Sequence, residues 1–322
     1  MKILHTDCKN YPPEALAELQ TIGEVLCCPL ASKEELVVQM SDVDILIVRM
    51  DTAVDRAVLD VALRLKIVAS ATTGVNHLDL PALEARGIKV ITLRGETKFL
   101  ETIPSTAELT FGLVLALLRK ISEAAEATKN GIWKSAAFQG RELRGKTLGL
   151  VGYGRVGRMV ARYARAFDME VLAYDPHVGE HVFAEDGVRR TSFDALLQRS
   201  NIVSLHATHT RETDCMMDRA AFSSMRPGSY LVNTARGELV DEAALLEALE
   251  SGHLAGAAVD VLADENAQIR TLESHPLVRY AKAHAHLIVT PHIAGMAIES
   301  VHKTSMFIAK SVAAYVRVHG LK

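Results

Sequence analysis

"GLVGYGRVGRMVARYAR", residues 149–165, sets an apolar strand directly against glycines at 152, 154 and 157, followed by a helix-like run. In a strand–turn–helix each glycine has a mechanical reason: Gly152 for a tight turn, Gly154 for close approach of backbone to an anion, Gly157 for helix-to-strand packing. The start of the helix turns its free N–H groups toward that anion, so the turn suits a dinucleotide pyrophosphate, with Arg155 and Val156 contributing their N–H groups. The next strand, "EVLAYD", ends in Asp175 about twenty residues on, where a carboxylate can bind both ribose hydroxyls of the adenosine half. That carboxylate repels a 2'-phosphate, so the expected cofactor is NAD.

Such folds often begin with this turn, yet nearly half of the 322 residues precede it. The first ninety or so alternate short apolar runs with amphipathic stretches ("KILHTD", "PEALAELQTIG", "EVLCC", "DILIVR", "KIVASATTG", "IKVITL"), which is a β-α-β rhythm predicting a small doubly wound domain. In "PSTAELTFGLVLALLRK", Ser105 and Glu108 read as a capping box opening a helix apolar nearly all round, expected to lie buried between domains. A second β-α-β series has strands near Leu148, Val171, Ile202, Leu231, Ala257 and Ile288, a Rossmann sheet of about six. The tail places Val301, Ser305, Ile308, Val312 and Tyr315 on one helical face that needs a surface to cover. The expectation is an α/β protein of two doubly wound parallel-sheet domains, 1–102 with 293–322 and an inserted 103–292.

Hydrophobic residues are 49% and charged residues 23%, an ordinary globular composition. A net charge of −3 gives no basic excess for nucleic acid. The start lacks the long apolar core of a signal peptide, and "FGLVLALL" from Phe111 is too short to span a bilayer, so a cytoplasmic protein without membrane contact is expected. Cys8, Cys27, Cys28 and Cys215 show neither zinc spacing nor disulfide density and are expected as reduced, buried thiols. The histidines are scattered, and no metal is expected.

Later stretches carry chemistry. "GSYLVNTARGELVDE" places Arg236 just past a strand, at the carboxyl end where open α/β sheets bind ligands, and an arginine fork matches a carboxylate. A surface ion pair is the more common fate of an arginine. "GAAVDVLADEN" offers Asp260 and Glu265, and "VTPHIAG" places His292 at the end of a further strand. Hydride transfer to a carbonyl needs a proton donor, a role open to an imidazole paired with a carboxylate.

Together "TTGVNHLDL", "STAELTFGLVLALLR", "GRELRGKTLGLVGYGRVG", "MRPGSYLVNTARGELVDE", "AAVDVLADE" and "TPHIAG" make the chain resemble the D-isomer-specific 2-hydroxyacid dehydrogenases. The resemblance implies a flavodoxin-like substrate domain split by the NAD domain, and Arg236, Glu265 and His292 as the catalytic set. Hydride would pass between nicotinamide and C2 of a 2-hydroxy or 2-oxo acid while His292, held protonated by Glu265, exchanges the hydroxyl proton. Arg236 would hold the substrate carboxylate, with the N–H groups of Thr73, Gly74 and Val75 on its other side. The alternative for that loop is a plain turn in which Gly74 and Asn76 supply positive φ. Asp260 would face the nicotinamide carboxamide, and Thr234 and Ala235 would flank that ring. Arg49 and Met50 are candidates for the cleft entrance, with an ordinary loop as the equal alternative.

Departures from the family pattern fall at "HATHT", where Thr208, placed at the adenosine end, replaces a proline and His209 a leucine, and at Asn266, in place of a proline after Glu265. Glu265 argues against a formate-oxidising relative, which has glutamine there. A NAD(H)-sensing scaffold of the same fold is the rival of another class. The family also implies a homodimer built through the cofactor domain and its linking helix.

Overall fold

The computed structural model describes all residues except 9–10, 30–32, 264, 266–268 and 322. It divides the chain into two compact units, Met1–Ile103 with Met296–Lys322, and Pro104–Gly295.

The first unit holds five parallel strands, β1 Lys2–His5, β2 Glu24–Cys27, β3 Ile45–Val48, β4 Ile67–Ser70 and β5 Lys89–Thr92, in the order β2-β1-β3-β4-β5. Every residue of β3 and β4 is buried, as parallel strands covered on both faces require. Alternate residues feed opposite layers. Leu4, Leu46, Val48 and Val68 pack with Leu36, Val58 and Leu83 on one face, whereas Ile3, Ile45, Ile47 and Ile67 pack with Leu19, Ile308, Val312 and Val316 on the other. The chain's last helix, Ile298–Val318, therefore completes the second layer beside the helix Pro13–Gln20. Tyr11 donates its hydroxyl to the Ser305 carbonyl at 3.3 Å.

Cys8 and Cys27 form a disulfide, correcting the expectation of reduced, buried thiols. The cause is register. β1 and β2 pair with His5 opposite Cys27, and the turn after His5 brings Cys8 to a Cα–Cα distance of 5.5 Å from Cys27, within disulfide reach. Of the remaining two, Cys28 is half-buried and Cys215 exposed.

The second unit holds seven parallel strands, β6 Thr147–Val151, β7 Glu170–Tyr174, β8 Arg189–Arg190, β9 Ile202–Leu205, β10 Ser229–Asn233, β11 Leu254–Val259 and β12 Leu287–Val289. Their order is β12-β11-β10-β9-β6-β7-β8, a doubly wound sheet whose winding reverses between β6 and β9. The strand beyond the expected six is β8. Its two exposed arginines, paired with Leu172 and Ala173, carry no apolar alternation to read.

The helix Ser105–Leu118 packs in the second unit against β10, β11, β12 and the helix Arg155–Ala166. Ser105 does not cap it. Pro104 is already in helical conformation at φ −88° and ψ −9°, and the Ser105 hydroxyl is turned inward without a hydrogen-bond partner among the described residues. The stretch Thr97–Leu118, 22 residues, holds an 18-residue window of mean hydropathy 1.2 and is by length and composition apolar enough to cross a membrane, which a count begun at Phe111 misses. Half of that window is buried within the fold, with Phe111, Val114, Leu117 and Leu118 in the core of the second unit. Burial of a core helix accounts for that apolarity.

Candidate active site

The turn after β6 meets the loop after β9 where the winding reverses. Gly152 has φ +93°, and a Cβ there would lie 2.5 Å from Ala207 N and 2.6 Å from the His206 carbonyl carbon. A Cβ on Gly157 would lie 2.4 Å from Gly152 O, so the helix sits directly on the turn, whereas a Cβ on Gly154 would meet no described atom within 4 Å. No described side chain caps the helix Arg155–Ala166, whose first N–H groups are suited to face an anion. Burial holds the Arg155 guanidinium below its ordinary pKa.

Asp175 follows β7 and is held against the same turn. Its Oδ2 accepts Tyr153 N and its Oδ1 accepts His177 N, each at 2.9 Å, which leaves lone pairs on both oxygens. An uncapped helix start beside a fixed carboxylate fits the pyrophosphate and ribose of NAD.

In the loop after β9, His206 Nε2 is 3.0 Å from Ser204 Oγ, and burial pushes this imidazole down to about 3. Where the family has proline and leucine, the loop closes on itself. Thr213 Oγ1 donates to Thr208 O at 2.7 Å, and His209 Nε2 lies 2.9 Å from Asp214 Oδ1.

Strands β10, β11 and β12 are neighbours, with Asn233 opposite Val259 and Val259 opposite Val289, so the residues after them emerge at one sheet edge. After β10, Asn233 folds the chain back. Its Oδ1 accepts Ala235 N at 3.0 Å and its Nδ2 donates to Arg236 O at 2.8 Å. Thr234 is buried with its hydroxyl 2.6 Å from that of Thr110, and so only its backbone can line the edge. Arg236 donates from Nη1 to Ala235 O at 2.6 Å, and among the described residues no carboxylate pairs with it.

Asp260, fully buried after β11, organises the turn after β12. Its Oδ1 accepts Thr290 Oγ1 at 2.5 Å and Ile293 N at 2.9 Å, its Oδ2 accepts Ala294 N at 2.8 Å, and its carbonyl accepts His292 N at 2.9 Å. Ile293 and Ala294 thereby stay with the second unit. Three of the four carboxylate lone-pair sites are used, which leaves one on Oδ2. His292 sits at φ +51°, a region costly to a non-glycine residue, and the Asp260 contacts hold it there. The ring reaches Glu265, with Nδ1 2.5 Å from Oε1. Nδ1–H donates to the carboxylate in this arrangement, which turns Nε2 outward to exchange a proton with a bound group. Asn233 and Thr290 escaped the sequence reading, although "VNTARG" and "VTPH" put a side-chain amide and a hydroxyl next to the charged groups.

In the first unit, the loop after β4 is fastened from below. The buried His77 contacts Ser70 Oγ at 3.2 Å, Ser70 contacts Thr72 Oγ1 at 3.1 Å, and Thr72 donates to Gly74 O at 2.8 Å. Neither Gly74 nor Asn76 is among the residues with positive φ, which weighs against the plain-turn reading. The N–H groups of Thr73, Gly74 and Val75 donate to no described residue. Arg49 is paired with Asp7, Nη1 to Oδ2 at 2.5 Å, and Met50 beside it is half-buried.

Residues 111–294 match the NAD-binding domain of the D-isomer specific 2-hydroxyacid dehydrogenases. The chain is 38% identical over 281 residues to a D-3-phosphoglycerate dehydrogenase of Archaeoglobus fulgidus, covering 87% of this chain and 51% of that one. It is also 38% identical over 235 residues to a hydroxypyruvate reductase of Thermotoga maritima, 73% of this chain and 72% of that one. It thus spans about half the length of the phosphoglycerate dehydrogenase it matches. A D-lactate dehydrogenase from Aquifex aeolicus, solved with NAD and lactic acid, superposes with a TM-score of 0.83 at 28% identity, covering 98% of this chain and 96% of that one. The family match covers more than half of the chain, and the chain belongs to the D-isomer-specific 2-hydroxyacid dehydrogenases.

Proposed function

We propose that this chain reduces a 2-oxo acid to the D-2-hydroxy acid with NADH, and runs the reverse reaction with NAD. The observation that carries the reading is the His292–Glu265 pair, Nδ1 to Oε1 at 2.5 Å, on the sheet edge that also presents Arg236 without a carboxylate partner among the described residues. Arg236 binds the substrate carboxylate through its fork and polarises the neighbouring oxo group. His292 delivers a proton from Nε2 to the oxo oxygen, and Glu265, accepting Nδ1–H, fixes the ring that carries it. NADH, when bound, supplies the hydride that C2 receives. Gly152, Gly154, Arg155, Val156, Gly157, Asp175 and Thr208 are assigned to the pyrophosphate and adenosine, and Thr234, Ala235 and Asp260 to the nicotinamide. Met50 and the N–H groups of Thr73, Gly74 and Val75 are assigned to substrate recognition.

The test follows loss of reduced-cofactor absorbance with glyoxylate, hydroxypyruvate, pyruvate, phenylpyruvate and 2-oxoglutarate. Turnover with at least one supports the proposal. Intact NADH binding with no turnover on any of them removes it and leaves a NAD(H)-sensing protein.

Asp175 sets the preference between cofactors. Replacing it with alanine or asparagine lowers the NADH-to-NADPH ratio of kcat/KM about tenfold or more, because the charge that repels a 2'-phosphate is gone. A parent protein that binds NADPH more tightly than NADH contradicts this assignment.

We place the reaction in the cytoplasm and assign a homodimer built through the helix Ser105–Leu118 and the segment after it. Ile121, Ile132 and Trp133 of that segment are exposed, Trp133 at 88%, and a second copy would cover them. Light scattering should give twice the 35.1 kDa chain mass, and a monomer refutes the dimer.

A further inference from the structure

The segment from Ala263 to His275 carries Glu265, and a single side chain outside it touches both of its ends. Glu242, first residue of the helix Glu242–Glu250, accepts Ala263 N–H on Oε1 at 2.9 Å, and its Oε2 lies 3.1 Å from His275 Nε2. The His275 side chain is 1% exposed and that of Glu242 19%, while His275 Nδ1 has no hydrogen-bond partner among the described residues. The orientation of this buried ring is therefore set through Nε2, by Glu242. Gly237 bears on the same place. A Cβ there would lie 2.0 Å from the Leu262 carbonyl carbon and 2.2 Å from Ala263 N, so the turn that carries Arg236 rests on the peptide that Glu242 holds.

We infer that Glu242 and His275 are positioning residues for Glu265: the Glu242 carboxylate, steadied by His275, holds the Ala263 peptide two residues before Glu265 and so fixes the Glu265–His292 contact. The inference rests on the proposed role of His292 as proton donor. A carboxylate suits the task because its two oxygens accept from a backbone N–H and an imidazole at once, and bonds to an ionised acceptor are the stronger kind. Holding that peptide in place before substrate arrives is how a site keeps a reacting pair in register. Glu242 and His275 act through Glu265 and not on the reacting atoms.

The test is a double-mutant cycle on the full chain, with NADH and the 2-oxo acid of highest turnover. Glu242→Ala should lower kcat about tenfold while the NADH Kd stays within about twofold, and Glu242→Gln, which keeps an acceptor for Ala263 N–H, should recover most of the rate. In a Glu265→Ala background, Glu242→Ala should change kcat by less than about twofold, because the contact it holds is already gone. Should Glu242→Ala fail to fold, His275→Ala, which leaves Ala263 N–H paired, takes its place in the cycle. A parent-like kcat, or the same loss in both backgrounds, overturns the inference. His292→Ala is measured in parallel. If it is inactive while the Glu242 losses are additive, only this inference fails; if it is fully active, the proposed function fails with it.

Discussion

Replacing His292 with alanine lowers kcat by about a hundredfold or more and leaves NADH binding largely intact. The loss is expected in kcat because the imidazole works on the oxo oxygen only as charge develops there, and a side chain that acts in the transition state contributes little to ground-state binding. Cofactor affinity should hold, since the glycine turn and Asp175 belong to β6 and β7, at the other end of the sheet from β12. Backbone conformation complicates the alanine variant. His292 occupies φ +51°, where alanine is strained and asparagine is tolerated better, so His292→Asn is the cleaner deletion of the proton donor. Both variants should lose activity to a similar extent. Near-normal turnover in either, with the fold intact by circular dichroism, takes His292 out of the reaction.

Arg236→Ala lowers kcat/KM for the 2-oxo acid by roughly a hundredfold or more, with KM rising as well as kcat falling. The rise in KM reports loss of the carboxylate clamp, and the fall in kcat reports loss of polarisation at the oxo group. Arg236→Lys should recover less than about a tenth of the lost activity, because an ammonium keeps the charge and loses the planar two-point fork. This variant separates charge from geometry. Full recovery by lysine would reduce Arg236 to a point charge, and an unchanged KM in the alanine variant would mean that the carboxylate binds elsewhere. Asn233 is the control for the turn itself: it holds Ala235 and Arg236 through both ends of its amide, so Asn233→Ala should weaken substrate use without removing any charge.

The two sheets were legible because parallel strands buried on both faces must be continuously apolar, as "ILIV" in β3 and "LAGAAV" in β11 are, and because glycine spacing marks the turn after β6. The tail helix was legible for a related reason, since an apolar face without a partner has to find one. Features that depend on contacts between distant residues were not. The Cys8–Cys27 disulfide needs the β1–β2 register, which two separate apolar runs do not disclose. Ser105 and Glu108 match a capping box, yet Pro104 enters the helix one residue early and pulls the pattern out of phase. Arg189 and Arg190 join β7 through backbone pairing, and two adjacent arginines carry no apolar alternation that would mark a strand. At the site, the charged residues were visible as residue types at strand ends. What fixes them was not: Asp260 accepts three groups of the "TPHIA" turn, and Glu242 reaches Ala263 and His275 from another helix, a relation no local pattern encodes.

Deuterium transfer follows the hydride step itself. The protein is incubated with NADH deuterated at both C4 positions and the 2-oxo acid it turns over fastest, and the product is examined by mass spectrometry and chiral separation. The expected product is a 2-hydroxy acid carrying deuterium at C2, as the D isomer when C2 is a stereocentre, formed far more slowly by His292→Asn but labelled to the same extent. Unlabelled product, the L isomer, or product formed equally well without His292 would contradict the proposed reaction.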